Sequence, residues 1–325
     1  MQIELFRGPH LPLIRCLAAL EEGDVRGARE ALADLDSDSR ATADRTRLGL
    51  IEARVPALGA GLTISPEEVH AAFAAALEPQ APSNPGAIPT EAWFRLYARH
   101  VAATLETGAS ACFRNWYGLH FELAAGRSDA ALRRGQRLLA TCDEGWAALE
   151  AARAAWVAGE EGRAARLVLV ACLKLDGDVS PAPPRISTAR TPALNPPPGL
   201  LPRLPRRIED LWDHAEALGL PPPASAWVPA VGIIDGIFSQ PLLGWSVELE
   251  GSGFDPAGPV PADEQGPRAF LRALLAARQA RALAPGTGGA GYGEAELAAR
   301  LRMKRIAPEL LARYLARLGG VSTRP

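Results

Sequence analysis

The sequence predicts a mainly α-helical fold built from helical hairpins, and two observations predict it. Of the 325 residues, 48% are apolar and 6% are aromatic. The apolar residues are mostly Ala and Leu, which are among the strongest helix formers. In addition, a glycine precedes an alanine by five positions at three junctions between helix-like stretches. These pairs are Gly23/Ala28, Gly126/Ala131 and Gly159/Ala164. Glycine suits a tight turn, and a small residue lets two helices approach closely.

The N-terminal elements follow from helical spacing and from glycine and proline. Leucines at helical intervals before Gly23-Asp24, and apolar residues after it, predict a helical hairpin over 11–35. Residues 40–55 predict a further helix. Another helix is expected to start at Ser65-Pro66 and to end near Leu77, because Ser is a favoured N-cap and Pro is favoured at the first helical position. The prolines that follow it predict a loop over 79–89.

Residues 90–175 contain the clearest succession of helices. Thr90 is expected to cap the first of them. The second is expected to carry large side chains, namely Phe113, Trp116, Tyr117, His120 and Leu123. The later predicted helices cover residues 131–139, 146–156 and 164–173. Gly126 and Gly159 separate helices in this region, so we expect each of them to close a hairpin turn.

Over residues 116–175, and also over 11–36, the chain resembles the tetratricopeptide repeat family. Gly126 and Gly159 are 33 residues apart, and the helix–turn–helix unit of that family has a period of about 34 residues. Trp116 or Trp146 corresponds to the aromatic residue near the start of the first helix. The small residues of the second helix are matched by Ala131, Ala164 and Ala171.

The chain departs from the family pattern at two places. Leu138 stands where a small residue is expected, and Asp176-Gly177 replaces the closing proline. The resemblance implies stacked hairpins that present a surface to another protein. An array of α-hairpins outside this family is the open alternative.

A proline-rich segment over 177–205 is expected to separate two domains. Nine prolines lie between Pro181 and Pro205, and such a stretch favours extended polyproline II geometry over helix. We therefore predict a hairpin array over 1–176, a linker or strap over 177–205 and a smaller α or α+β unit over 206–325.

The C-terminal region begins with a predicted helix over 206–218. After this helix, the spacing of apolar residues changes from helical to strand periodicity. The apolar run Val228–Ile234, followed by Asp235-Gly236, predicts a small β-hairpin, because Asp-Gly suits a two-residue turn. Alternation over 245–249 predicts a further strand. Two more helices are expected, over Pro267–Leu283 and Glu294–Leu318.

Charge and cysteine usage indicate a cytoplasmic protein without a membrane segment. The formal net charge is −2, which provides no global basic field for nucleic acid or anionic lipid. The N-terminus lacks the pattern of a secretory signal, and the longest apolar run, Leu167–Leu173, is too short to span a bilayer. The four cysteines, which form no C-x-x-C motif, are expected to be reduced core residues. They are Cys16, Cys112, Cys142 and Cys172.

Aromatic residues are concentrated between positions 93 and 121, and two interpretations follow. They can form the core of the helical array, or they can line a concave groove for a peptide or a partner helix. The candidate groove residues are Trp93, Tyr97, Trp116, Tyr117 and His120.

A candidate basic surface follows near the C-terminus. Four basic residues precede the Ala307-Pro308 step, and they are Arg300, Arg302, Lys304 and Arg305. They could bind nucleic acid, but a recognised module is missing from the sequence around them, and Tyr314 is the single aromatic residue nearby. A solvated helix face is therefore favoured.

The remaining patterns bear on catalysis, cofactors and metals. Gly286–Gly291 spells G-x-G-x-x-G, yet a predicted helix precedes it where a dinucleotide site needs a strand. Asp210 and His214 share a helix face, although no further ligand completes a metal site. His100 and His120 could belong to an active site without a recognised nucleophile motif.

The function predicted from these patterns is non-catalytic. We expect a scaffold or adaptor that binds another protein or peptide through the aromatic-lined groove, with no cofactor, no metal and no catalytic residues. Two alternatives remain open. One is an enzyme with a His and carboxylate site, and the other is nucleic-acid binding through the Arg-rich C-terminal helix.

Overall fold

The structure of the chain is a computed structural model. It describes residues 11–35, 39–55, 64–77, 90–105, 112–114, 116–142, 144–174, 180–182, 194, 196–197, 199–238, 254–255, 265–283 and 293–319. Several predictions lie outside these residues: the proline loop over 79–89, the strand over 245–249, Gly286–Gly291 and most of the segment over 177–205. The side chain of Thr90, the predicted cap, also lies outside them.

The described part of the chain is mainly α-helical, as predicted, and it divides into two compact units. The first unit comprises Met1–Thr141 and Pro184–Pro202, and the second comprises Cys142–Pro183 and Arg203–Pro325. The predicted division lies in the proline-rich segment and so assigns residues 142–176 to the N-terminal domain. The structure groups these residues with the second unit.

The first unit contains seven α-helices and two short strands among its described residues. They are α1 (Leu11–Glu22), α2 (Val25–Ala33), α3 (Ser39–Arg54), α4 (Pro66–Leu77), α5 (Thr90–Thr104), β1 (Cys112–Phe113), β2 (Trp116–Tyr117), α6 (Gly118–Ala124) and α7 (Ser128–Thr141). Each of the helices packs against the next one along the chain, and α1 also packs against α5. This return of α1 onto α5 closes the unit, so an open tetratricopeptide-like array is not confirmed.

The second unit also contains seven described α-helices. They are α8 (Gly145–Val157), α9 (Glu161–Leu173), α10 (Arg206–Ala217), α11 (Val228–Ile234), α12 (Pro267–Leu283), α13 (Glu294–Ile306) and α14 (Pro308–Leu318). The short, fully buried α11 lies at the centre of the unit, because it packs against α9, α10, α12 and α14. Helix α13 packs against α12 and α14.

The three predicted glycine–alanine turns are confirmed, and they share one geometry. In the turn between α8 and α9, the N–H of Gly159 donates to the carbonyl of Trp156 at 3.0 Å, and the N–H of Glu160 donates to that of Ala155 at 2.8 Å. This is the Schellman helix ending, which requires a left-handed residue that glycine supplies without strain. Equivalent pairs of hydrogen bonds, made by Gly23 and Gly126 and by the residue after each, end helices α1 and α6. The partner alanine is fully buried in the next helix in each case, because the two helices approach closely there.

The predicted β-hairpin at Val228–Ile234 is wrong, because this segment forms helix α11. An apolar run of this length fits a buried strand and a buried helix equally well. Pro229 lies in the first helical turn, where a missing N–H has no cost. Asp235-Gly236 ends the helix with a Schellman motif, since Gly236 has φ of 75° and Ile237 donates to the carbonyl of Gly232 at 2.9 Å.

Two other segments also differ from their predicted structure. The predicted helix Glu294–Leu318 is two helices, because Ala307, which precedes a proline, adopts φ of −150° and ψ of 87°. The helix predicted to carry Phe113 and Trp116 starts only at Gly118. Both aromatic residues lie instead in the strand pair β1–β2, where they face each other in an antiparallel register.

The cysteines are less uniformly buried than predicted. None of the four takes part in a disulfide, and Cys16 and Cys172 lie in the core. Cys112 is exposed and Cys142 is half-buried, so these two are not core residues. Within the described part of the chain, no helix has the length and apolar character needed to cross a membrane.

Candidate interaction surface

Four of the five predicted groove residues lie in the core of the first unit. Trp93, Tyr97, Trp116 and His120 are buried, and Tyr117 is half-buried. Tyr97 makes edge-to-face contacts with Phe73 and Phe94, with ring centroids 5.5 Å and 5.6 Å apart. Side chains without exposed surface cannot line an open groove. The correction has a simple cause: an aromatic ring carries so much apolar area that a folded unit gains most by burying it.

Two histidines of this aromatic cluster, His70 and His120, have hydrogen-bond partners. Nδ1 of His70 shares a 3.0 Å hydrogen bond with the Tyr97 hydroxyl. Nδ1 of His120 accepts the backbone N–H of Tyr117 at 3.0 Å, which caps the start of α6. Burial, assisted by the nearby Arg99 charge, lowers the pKa of His100 to about 4. His100 is therefore neutral at pH 7 and does not have the pKa near 7 that suits a general base.

The four predicted basic residues do not share one surface. Arg300 is buried and forms an ion pair with Glu296 on the same helix. Arg302 is half-buried, whereas Lys304 and Arg305 are exposed. Of the four residues of the candidate basic surface, two are therefore exposed cations, and both lie at the C-terminal end of α13.

Helix α13 has an unusual distribution of side chains. Its buried residues include the charged pair Glu296 and Arg300. Leu297 and Leu301, by contrast, are 48% and 49% exposed. Helix faces that pack into a core are normally apolar, and faces in contact with water are normally polar. Helix α13 places two leucines outward and two charges inward.

The buried charges of α13 are matched by specific contacts. Glu296 and Arg300 are four residues apart on one helix, a spacing at which opposite charges meet. The guanidinium of Arg300 also lies 6.0 Å from the centre of the Tyr314 ring on α14. Burial raises the pKa of the Tyr314 hydroxyl. Ala299 and Met303 are buried on the same face of α13 as this charged pair, and with this rotation the leucines face outward.

The exposed leucines are flanked by small and charged residues. Ala298 is exposed between them, Glu294 is exposed at the N-terminal end, and Lys304 and Arg305 are exposed at the C-terminal end. We call this set the α13 leucine face; it consists of Glu294, Leu297, Ala298, Leu301, Lys304 and Arg305. Leu297 and Leu301 are neighbours on the helix surface at a spacing of four residues, so they form one contiguous apolar patch. Neither leucine is singled out in the sequence analysis, which considers only the basic residues of this helix.

A second cluster of charged side chains surrounds Asp235 at the end of α11. The guanidinium of Arg313 donates to both carboxylate oxygens, at 2.8 Å and 2.6 Å. Nδ1 of His214 lies 3.3 Å from Oδ2, and Arg317 lies 3.7 Å from Oδ1. The carboxylate is buried, and its contacts connect α10, α11 and α14. This His and carboxylate pair is the arrangement that the enzyme alternative requires, but the Asp235 oxygens are already held by Arg313.

Asp210 and His214, which the sequence analysis considered as a pair of metal ligands and set aside, have other partners in the structure. Asp210 lies 3.7 Å from Arg206, and His214 contacts Asp235 instead. Over the same described residues, no group of three or more His, Cys, Asp or Glu side chains is arranged to hold a metal ion.

Comparison of the chain with protein-family models, curated proteins and solved structures returned no match.

Proposed function

We propose that this chain is a non-catalytic interaction protein that binds another protein through the α13 leucine face. The observation that carries the proposal is the rotation of α13, which buries a charged pair and leaves two adjacent leucines in water. Full burial of one leucine is worth about 1.5–3 kcal/mol. Two half-exposed leucines therefore leave roughly 1.5–3 kcal/mol of apolar burial that a partner can supply.

The flanking charges support a protein or peptide as the partner. A leucine patch bordered by an acid at one end and by cations at the other has the apolar centre and polar rim that are typical of protein interfaces. An amphipathic helix offers the matching pattern of apolar residues at intervals of three and four positions. The proposed partner therefore lays an apolar helix face along α13.

The wider architecture fits the same class of function. The three hairpins with identical glycine turns support a tetratricopeptide-like origin, and that family implies an interaction scaffold. The four free cysteines support a reducing compartment such as the cytoplasm. The two alternative functions have less support. Nucleic-acid binding is less favoured because Arg300 is buried, and an enzyme with a His and carboxylate site is less favoured because Arg313 already donates to Asp235.

Affinity capture from the native cell tests the proposal with three forms of the full chain. The first is the natural sequence, and the second carries Leu297→Glu and Leu301→Glu. The third is a matched control with Leu50→Glu, because Leu50 on α3 is 39% exposed and lies outside the α13 leucine face. We expect the natural chain and the control to capture the same proteins, and the double variant to lose them. Equal capture by all three forms, at equal helix content by circular dichroism, would refute the proposal.

A further inference from the structure

We infer that the occupant of the α13 leucine face is a second copy of this chain, which binds by the same face in antiparallel orientation. This inference rests on the proposed function and names its partner. The interface would be isologous, so each copy contributes identical residues about a two-fold axis.

The spacing along α13 matches the seam of a two-helix contact. Glu294, Leu297, Leu301 and Lys304 follow one another at intervals of three, four and three residues. This is the a and d pattern with which two helices pack side by side. All four residues are exposed, so the seam is accessible along the length of the helix.

Antiparallel pairing makes this seam complementary to itself. With the two-fold axis on the exposed side of the helix, midway between Leu297 and Leu301, Leu297 of one copy faces Leu301 of the other, and the reverse contact occurs on the far side of the axis. In the same register, Glu294 of each copy faces Lys304 of the other, which gives two opposite-charge contacts. A parallel pairing would place identical charges side by side, which is unfavourable. The charge distribution therefore selects the antiparallel orientation.

The flanking residues permit this approach. Ala298 lies between the two leucines on the exposed face and has no bulk that would separate the helices. Arg305 adds a second cation at the same end as Lys304, close to the Glu294 end of the other copy. The opposed directions of the two helices also place each positive N-terminus next to a negative C-terminus.

The expected dimer is weak and reversible. A helix of 13 residues is about 20 Å long, and two such helices bury less than the roughly 1,200 Å² of a standard interface. We therefore expect a dissociation constant on the order of 10–500 μM, typical of transient contacts.

Sedimentation velocity on the purified full chain tests the inference over concentrations that span this range. The mass of the natural chain is expected to rise from 34.4 kDa towards twice that value. Leu301→Glu should weaken the association at least tenfold, whereas the control Leu50→Glu should leave it unchanged. A chain that stays monomeric at the highest concentration would overturn the inference, and so would a Leu301→Glu variant that still associates.

A charge exchange tests the orientation without changing the leucines. Glu294→Lys alone places two cations opposite each other, and Lys304→Glu alone places two acids opposite each other. Each change should weaken the dimer several-fold, and the two together should restore it, because the opposite-charge contacts are then re-formed with inverted sign. A double variant that is no better than the single variants would overturn the antiparallel register.

The two proposals fail in different ways. If the purified chain stays monomeric while its capture of another protein still depends on Leu297 and Leu301, the self-association fails and the proposed function stands. If capture is also independent of these leucines, both fail.

Discussion

The turn between α8 and α9 allows a test in which two glycines in one hairpin give stability changes of opposite sign. Gly159 has φ of 80°, and a Cβ added there would meet no atom within 4 Å. The effect of Gly159→Ala is therefore confined to the backbone. The left-handed conformation costs an alanine about 1–2 kcal/mol. The loss of unfolded-state freedom offsets about 0.4–1 kcal/mol of this cost. We expect a net loss of about 0.5–1 kcal/mol in the free energy of unfolding.

Gly162, three residues later, is the matched control. It lies in the first turn of α9, where the nearest atom to an added Cβ is Nη1 of Arg166 at 3.8 Å. Since alanine is a better helix former than glycine, Gly162→Ala should raise the free energy of unfolding by about 0.5–1 kcal/mol.

Urea denaturation followed by circular dichroism measures both changes. With a slope of about 2 kcal/mol per molar urea, the midpoints should move by about 0.2–0.5 M in opposite directions. An unchanged or raised midpoint for Gly159→Ala would refute the Schellman geometry assigned to all three turns. A lowered midpoint for Gly162→Ala would refute the position of the first turn of α9.

Three further tests, with five substitutions in all, concern the charged and aromatic clusters. Asp235→Asn should lower the free energy of unfolding by about 1–3 kcal/mol, because it weakens a buried and hydrogen-bonded ion pair. Asp210 is more exposed, so Asp210→Asn should change the free energy of unfolding by less than about 0.5 kcal/mol. Urea denaturation measures both changes. Because burial lowers the pKa of His100 to about 4, the unfolded chain binds the proton more tightly. Stability is therefore lost as pH falls from about 6.5 towards 4, and His100→Gln should reduce this loss when urea midpoints are compared at both ends of the range. Trp116→Ala should cost about 3–5 kcal/mol as a core truncation. Tyr117→Ala should lower the free energy of unfolding by less, because Tyr117 is half-buried. If thermal unfolding shows a larger loss for Tyr117→Ala than for Trp116→Ala, the burial assigned to the two residues is contradicted.

The helical hairpins could be predicted from the sequence because their turns require a left-handed backbone conformation that few residue types adopt. Gly23, Gly126 and Gly159 all have positive φ, a conformation that glycine adopts far more readily than any other residue. The alanine five residues later occupies a buried position in the next helix. Both requirements are local, so the sequence alone reveals them.

Burial of the aromatic residues could not be predicted in the same way. The spacing of Trp93 and Tyr97 specifies that they share a helix face. The same spacing is expected whether that face is buried in a core or lines an open groove. The face is closed by residues from α4 and from the strand pair, among them His70 and Phe113, which contact each other with ring centroids 5.9 Å apart. Contacts of this kind join distant segments, and periodicity within one helix contains no information about them.

The α13 leucine face was missed for a related reason, and its physical basis explains why a partner is expected there. A periodicity argument assigns Leu297 and Leu301 to the core, and it assigns Glu296 and Arg300 to solvent. The observed rotation is the reverse. Glu296 and Arg300 form an ion pair on the buried face, and Arg300 lies near the ring of Tyr314. Ala299 and Met303 supply the apolar contacts of the same face. An isolated chain gains little by burying a charged pair in preference to leucines, since desolvation offsets most of the attraction between the charges. A second molecule that covers the leucines, as we propose, would stabilise this arrangement by burying their apolar surface. Among the residues that the structure describes, the exposure of these two leucines is therefore the observation on which the proposed binding surface rests.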